Sequence, residues 1–274
     1  MLFKWHVPMR RYLFCRTFLY LFFFFLCGAI AAPPLFAHEL GYRQTLIKTL
    51  QKNPLFDKEF LDTVFQNPML QTHAPQRAPE CTELLENYND EYKITGKRSL
   101  EMGVEFYENN KEIFIRTEKE TSVTPAYILG ILRVETYFGI CTGMYPVLPR
   151  LYHLYMKTPA KRDFALRQIK AFLEISKTNN WDPYLFLGSH AGAMGLFQFL
   201  PSSIKEYAVD GDKDGVINIY NPADCIPSIA RYLVVNHWKR NKRASVWNYN
   251  QDKEYVERVI TYAEKIAEEI RKKN

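Results

Sequence analysis

Apolar residues recur at helical spacing over residues 44–65, with an interruption at Pro54, which predicts a helix, a break and a second helix. Residues 68–89 carry Pro68, Pro75 and Pro79 among polar residues and predict an irregular connection. Residues 100–120 alternate apolar and charged positions at a period near 3.6, the mark of one surface helix. Thr124 followed by Pro125 predicts an N-cap with proline at the first helical position, and Gly139 predicts a stop after about Phe138. Further helices are expected over 162–177, 202–207, 223–238 and 254–272, whereas strand signals are short, the best being 216–219. The pattern is that of a mainly helical chain with a minor β element and no internal repeat.

The first forty residues follow a different logic. Lys4, Arg10, Arg11 and Arg16 form a basic start, an apolar run covers 18–32, and small residues and two prolines follow. This is the layout of a secretory signal peptide, expected over 1–37 with cleavage after Ala31, Ala32 or Ala37. The apolar run is 15 residues, short of the roughly 20 that span a bilayer; an uncleaved anchor is the alternative. A lipoprotein site at Cys27 is disfavoured by the bulky Phe24, Phe25 and Leu26 before it.

Of the 274 residues, 47% are hydrophobic and 24% charged, enough to bury a substantial core. The formal charge is +6, but residues 1–37 hold four of the 36 basic residues and none of the 30 acidic ones, which leaves +2 beyond them. The basic balance belongs largely to the leader, so it gives no reason to expect nucleic acid as a partner. Beyond the leader stand Cys81, Cys141 and Cys225, an odd set that permits one disulfide with a free thiol, or none. No Cys-x-x-Cys spacing suggests zinc.

Candidate chemistry begins with Glu135. Leu132, Ile131 and Ile128 stand three, four and seven residues before it, so the acid shares a helix face with large aliphatics. Partial desolvation there favours the neutral carboxyl, the state a general acid needs near neutral pH. A glutamate paired with a buried arginine, or at the edge of the core, satisfies the same pattern.

Two further segments stand out. Residues 188–203, GSHAGAMGLFQFLPSS, combine small residues with one amide, Gln198. That composition suits a close-approach sugar cleft, and a packed helix–turn would use it equally. Residues 210–224 place Asp210, Asp212 and Asp214 at alternate positions, then Gly215 and Val216, as in the first half of an EF-hand, where carboxylates and the carbonyl at position 7 converge on Ca2+. Position 12 is Asn221 instead of the usual bidentate Glu. Calcium with a structural role is the expected cofactor, and no organic cofactor is expected.

Taken together, the motifs VETYFG (134–139), GSxAGAMG (188–195), QF (198–199), PSS (201–203) and YN (249–250) stand in the order and spacing of the lytic murein transglycosylase B family, which this sequence resembles. A weaker match, FDxxFLxxVF over 56–65, extends the resemblance over most of the chain after the leader. The resemblance implies an α+β, mainly α-helical fold with a lysozyme-like catalytic core spanning 38–274 and an embedded EF-hand-like loop at 210–224. It implies Glu135 as the single catalytic acid/base and Ser189, Gln198, Tyr249 and Asn250 as glycan contacts. It also suggests a lengthened metal loop closed by Asp224. Tyr137, beside the acid, is a further candidate sugar contact, while Tyr255 fits a core stripe with Val259 and Tyr262.

The implied reaction cuts the β-1,4 bond between N-acetylmuramic acid and N-acetylglucosamine and closes a 1,6-anhydromuramic acid ring without water. Ordinary glycosidases need two carboxylates; here the substrate's own hydroxyl is the nucleophile, so one suffices. The implied partners are peptidoglycan strands, with cell-wall synthesis or remodelling proteins beside them. The membrane would be met only through an uncleaved N-terminal segment, and the implied location is the periplasm or envelope of a bacterium. Two departures from the family stand at His190, where an aromatic is usual, and in residues 147–155. The alternatives are a lysozyme-type muramidase that uses water, and a non-catalytic peptidoglycan-binding scaffold.

Overall fold

The computed structural model describes residues 34–71, 86, 87 and 89–273. The expected leader therefore lies outside the described residues up to position 33, as do most of the proline-rich connection and Cys81. The chain divides into two units, 1–42 and 43–274, and the second carries every feature discussed below. Among the described residues, no helix is long and apolar enough to cross a membrane.

Eleven α-helices are described: α1 (Pro34–Leu50), α2 (Lys58–Gln66), α3 (Lys97–Asn109), α4 (Lys111–Thr121), α5 (Pro125–Thr136), α6 (Val147–Lys157), α7 (Arg162–Thr178), α8 (Pro201–Tyr207), α9 (Pro222–Val235), α10 (Lys242–Tyr249) and α11 (Lys253–Lys273). The two strands, β1 (Tyr145–Pro146) and β2 (Leu187–Gly188), form one short antiparallel ribbon with Tyr145 opposite Gly188.

Three expectations are corrected. Residues 100–120 are two helices, because Asn110 leaves helical geometry at φ −125° and ends α3 before α4 begins. Residues 216–219 are not a strand: Ile219 sits in a loop where its carbonyl accepts from Leu196 N at 2.8 Å. Helices α6 and α10 were not anticipated; α6 begins after Pro146 without a side-chain cap.

The centre of the fold is α5 against α11. Ile128, Leu129, Ile131 and Leu132 of α5 and Val256, Val259, Tyr262 and Ile266 of α11 are all buried, and each such aliphatic is worth about 2 kcal/mol when removed from water. The helices meet closely because Gly130 has no side chain: a Cβ there would lie 2.7 Å from the Val259 carbonyl oxygen. Around this pair, α6 packs on α7, α7 on α8, and α9 on α4.

Candidate active site

Glu135 lies in the last turn of α5, half-buried, while Ile128, Ile131 and Leu132 on its face have no exposed surface. Five residues beyond Gly130 on α5 and four before Val259 on α11, the antiparallel pair brings Glu135 to Tyr255. The Tyr255 hydroxyl donates to Glu135 Oε1 at 2.7 Å. Tyr255 is buried, as its helical stripe predicts, yet its polar tip faces the acid. The sequence identified the ring's burial and missed this contact.

Beside Tyr255 lies Tyr249 at the end of α10, its ring nearly parallel at 12° and 6.4 Å away. The Tyr249 hydroxyl donates to the Phe197 carbonyl at 2.6 Å, and its ring meets Tyr232 edge-on at 4.8 Å. Burial first, and the neighbouring Glu135 second, push the phenols of Tyr249 and Tyr255 well above their ordinary range. Both are therefore hydrogen-bond donors throughout neutral pH. Asn250, next in the chain, is exposed as the C-cap of α10.

The small-residue segment folds into a pinned loop. Met194 bridges to Gly188 on one side and Phe199 on the other. Ser189 Oγ accepts from Ala191 N at 3.2 Å and Ala193 N at 3.1 Å. Thr136, the residue after Glu135, ties the segment to α5 by donating to the Leu196 carbonyl at 3.1 Å. Gly195 adopts φ +75°, and a Cβ there would sit 2.5 Å from the Ile219 carbonyl oxygen, so glycine is required. Gln198 Nε2 donates to the carbonyls of Thr142 and Gly195, both at 2.9 Å. Both amide protons are thereby committed, and the side-chain oxygen is the group left to meet a ligand donor.

The buried arginine pairs with a different acid. Arg133, with no exposed surface, is 3.1 Å from Glu86 Oε1, donates to Ser99 Oγ at 2.6 Å and to the Tyr92 carbonyl at 2.7 Å. Arg258 of α11 also pairs with Glu86. Tyr137 belongs to this cluster. Its left-handed φ of 52° turns the ring beneath Arg133, whose guanidinium carbon is 3.9 Å from the ring centroid. With 0% exposure, Tyr137 is a packing residue, in place of the sugar contact its position beside Glu135 suggested.

In the acidic loop, carboxylate oxygens of Asp210, Asp212 and Asp224 lie within 4.8 Å of one another. Asp224 is 1% exposed, and its two oxygens accept from Gly211 N at 2.8 Å and Asn218 N at 2.7 Å. Burial pushes its pKa up, those two bonds oppose the shift, and Asp212 and Asp210 add to it. Asn221 caps α9 through Ala223 N at 3.0 Å and donates to Asp212 at 3.0 Å, so position 12 has a structural task and Asp224 joins the acids instead. Asp214 stands outside the converging set, where its carboxylate accepts from Val216 N at 2.8 Å. An all-oxygen set of this kind fits a hard divalent cation of calcium's size. Cys141 is disulfide-bonded, and Cys225 is a buried free thiol.

In this mainly helical fold, a half-buried carboxylate held by a buried tyrosine stands next in the chain to Thr136, which ties α5 to the small-residue loop. The chain belongs to the transglycosylase SLT domain family, whose model matches residues 41–272. It is 34% identical over 148 residues to the membrane-bound lytic murein transglycosylase B of Escherichia coli K12; that match covers 54% of this chain and 41% of the relative, so it spans about two fifths of the curated relative's length. The soluble lytic transglycosylase SltB1 of Pseudomonas aeruginosa superposes with TM-score 0.68 at 26% identity, covering 82% of this chain and 97% of that one. The Escherichia coli lytic transglycosylase Slt35 in complex with calcium superposes with TM-score 0.71 at 21% identity, over 84% and 93% of the two chains. The fold is thus the lysozyme-like, mainly helical one of lytic transglycosylases.

Proposed function

We propose that this chain is a peptidoglycan lytic transglycosylase that cleaves the β-1,4 bond from N-acetylmuramic acid to N-acetylglucosamine and leaves a 1,6-anhydromuramic acid end, with Glu135 as its one general acid/base. The observation that carries this reading is the Tyr255–Glu135 hydrogen bond of 2.7 Å at the junction of α5, α11 and the 188–199 loop. It fixes one carboxylate on rigid elements beside candidate sugar contacts.

Glu135, protonated, gives its proton to the glycosidic oxygen as the bond to C1 of the muramic acid breaks. The resulting carboxylate then removes the proton of the C6 hydroxyl as that oxygen closes on C1, which restores the acid and consumes no water. Tyr255, kept protonated by burial, donates to the carboxylate form and stabilises it between the two steps. Ser189, Gln198, Tyr249 and Asn250 orient the strand, with the Gln198 side-chain oxygen accepting from a sugar amide or hydroxyl. The aromatic floor of buried Tyr255 and Phe199 with half-buried Tyr249 limits water at the reacting centre.

The same reading assigns Asp210, Asp212 and Asp224 to calcium, with the Val216 carbonyl as a further ligand and Asp214 joining only by leaving its bond to Val216 N; the ion would supply structural cross-linking of α8 to α9 when bound. It assigns residues 1–37 to export, and the working location to the periplasm or cell envelope. Digestion of purified peptidoglycan in 18O-water tests the chemistry: anhydro ends free of 18O are expected. Reducing ends that carry 18O would replace the reading by a hydrolase.

A further inference from the structure

Helix α6 carries Arg150, His153 and Lys157 at positions i, i+3 and i+7, one helix face, and its eleven residues include no acid. Arg150 Nε donates to the His190 carbonyl at 2.7 Å, and its guanidinium carbon lies 5.6 Å from the centroid of the Tyr145 ring. Both contacts belong to the wall of the candidate glycan site: Tyr145 pairs with Gly188 across the ribbon, and His190 follows Ser189. Nε is thereby committed to the wall, while the two terminal nitrogens meet no carboxylate among the described residues. His153, one turn on, has its imidazole pushed down by burial and then by the positive charges of Arg150 and Lys157.

A guanidinium held at Nε over an aromatic ring presents its remaining fork in a fixed direction, and that fork matches a carboxylate. The glycan backbone of peptidoglycan is neutral, and its carboxylates sit on the peptides borne by the muramic acid residues. We propose that Arg150 is a specificity-determining residue of the substrate site, which recognises a carboxylate of the stem peptide on the strand being cut. This inference rests on the transglycosylase reading above.

The test compares the purified chain with Arg150→Gln and Arg150→Lys on two probes: peptide-bearing sacculi, and the same sacculi stripped of peptides by an amidase, with the lactyl carboxylates that this frees capped as methylamides. Binding by co-sedimentation and kcat/KM are both read, and thermal melting checks folding. Arg150→Gln is expected to weaken binding and kcat/KM about tenfold on peptide-bearing strands, the size of one charge-assisted contact. Stripped strands should show no change, and Arg150→Lys should fall between. An equal loss on both probes would reduce Arg150 to a brace for the His190 loop and overturn the proposal, as would no loss on peptide-bearing strands. Arg150-dependent binding of peptide-bearing strands without any anhydro product would instead support this proposal and retire the reaction assigned to Glu135.

Discussion

Gly130→Ala probes the link between packing and chemistry. The new Cβ would lie 2.7 Å from the Val259 carbonyl oxygen, where ordinary contact begins at 3.4 Å. The obstacle is helix backbone, so relief requires α5 and α11 to separate by about 0.7 Å, and the faces they turn to each other are buried. A displacement of that size carried to Tyr255 would stretch its 2.7 Å bond to Glu135 to about 3.4 Å, past the useful range. Overpacking costs about 1–3 kcal/mol, and alanine returns up to about 1 kcal/mol through its helix propensity. A net loss of up to about 2 kcal/mol is therefore expected in urea unfolding. Loss of a charge-assisted bond worth about 1.5–3 kcal/mol should lower kcat/KM on peptidoglycan about 10- to 100-fold. A variant as stable and as active as the wild type would refute the claim that close helix approach at Gly130 sets the Tyr255–Glu135 geometry.

Tyr255→Phe removes the donor and leaves the ring. It should lower kcat/KM by a similar factor and move the descending alkaline limb of its pH profile upward, because the lost bond favours the ionised carboxylate. The wild-type phenol does not titrate in that range, since burial and Glu135 both push it up; an unmoved limb would separate Tyr255 from the acid/base. Calcium added after chelation should raise the melting temperature of the wild type by about 5–10 °C at a hundredfold excess over Kd. Asp224→Asn should abolish that rise, and an equal rise in the variant would place the cation elsewhere.

Much of this arrangement is legible in the sequence because it follows from local periodicity. Glu135's helical face, the Thr124-Pro125 start and the order of α7, α8, α9 and α11 are all read from spacing within one element. The failures have local causes too. Nothing at Asn110 announces a break, since it is neither Gly nor Pro and the charged–apolar rhythm continues past it. Val216 and Ile219 look like a strand by side-chain type, yet Ile219 is buried to support the Leu196 backbone. Tyr137 stands close to Glu135 in sequence but not at the cleft, because two successive left-handed residues, Tyr137 and Phe138, turn the chain there and leave the ring packed on Arg133. Tyr255 shows the complementary limit. A 3.6-residue stripe reports that a ring is buried, and only the pairing of positions 120 apart in the chain reveals what its hydroxyl touches.

The most direct test of the acid/base assignment is mass spectrometry of muropeptides released from purified peptidoglycan by the wild-type chain and by Glu135→Gln. The wild type is expected to release products ending in 1,6-anhydromuramic acid, and Glu135→Gln, still folded and still bound to the strands, is expected to release none. Anhydro products from Glu135→Gln at the wild-type rate would contradict the assignment of Glu135.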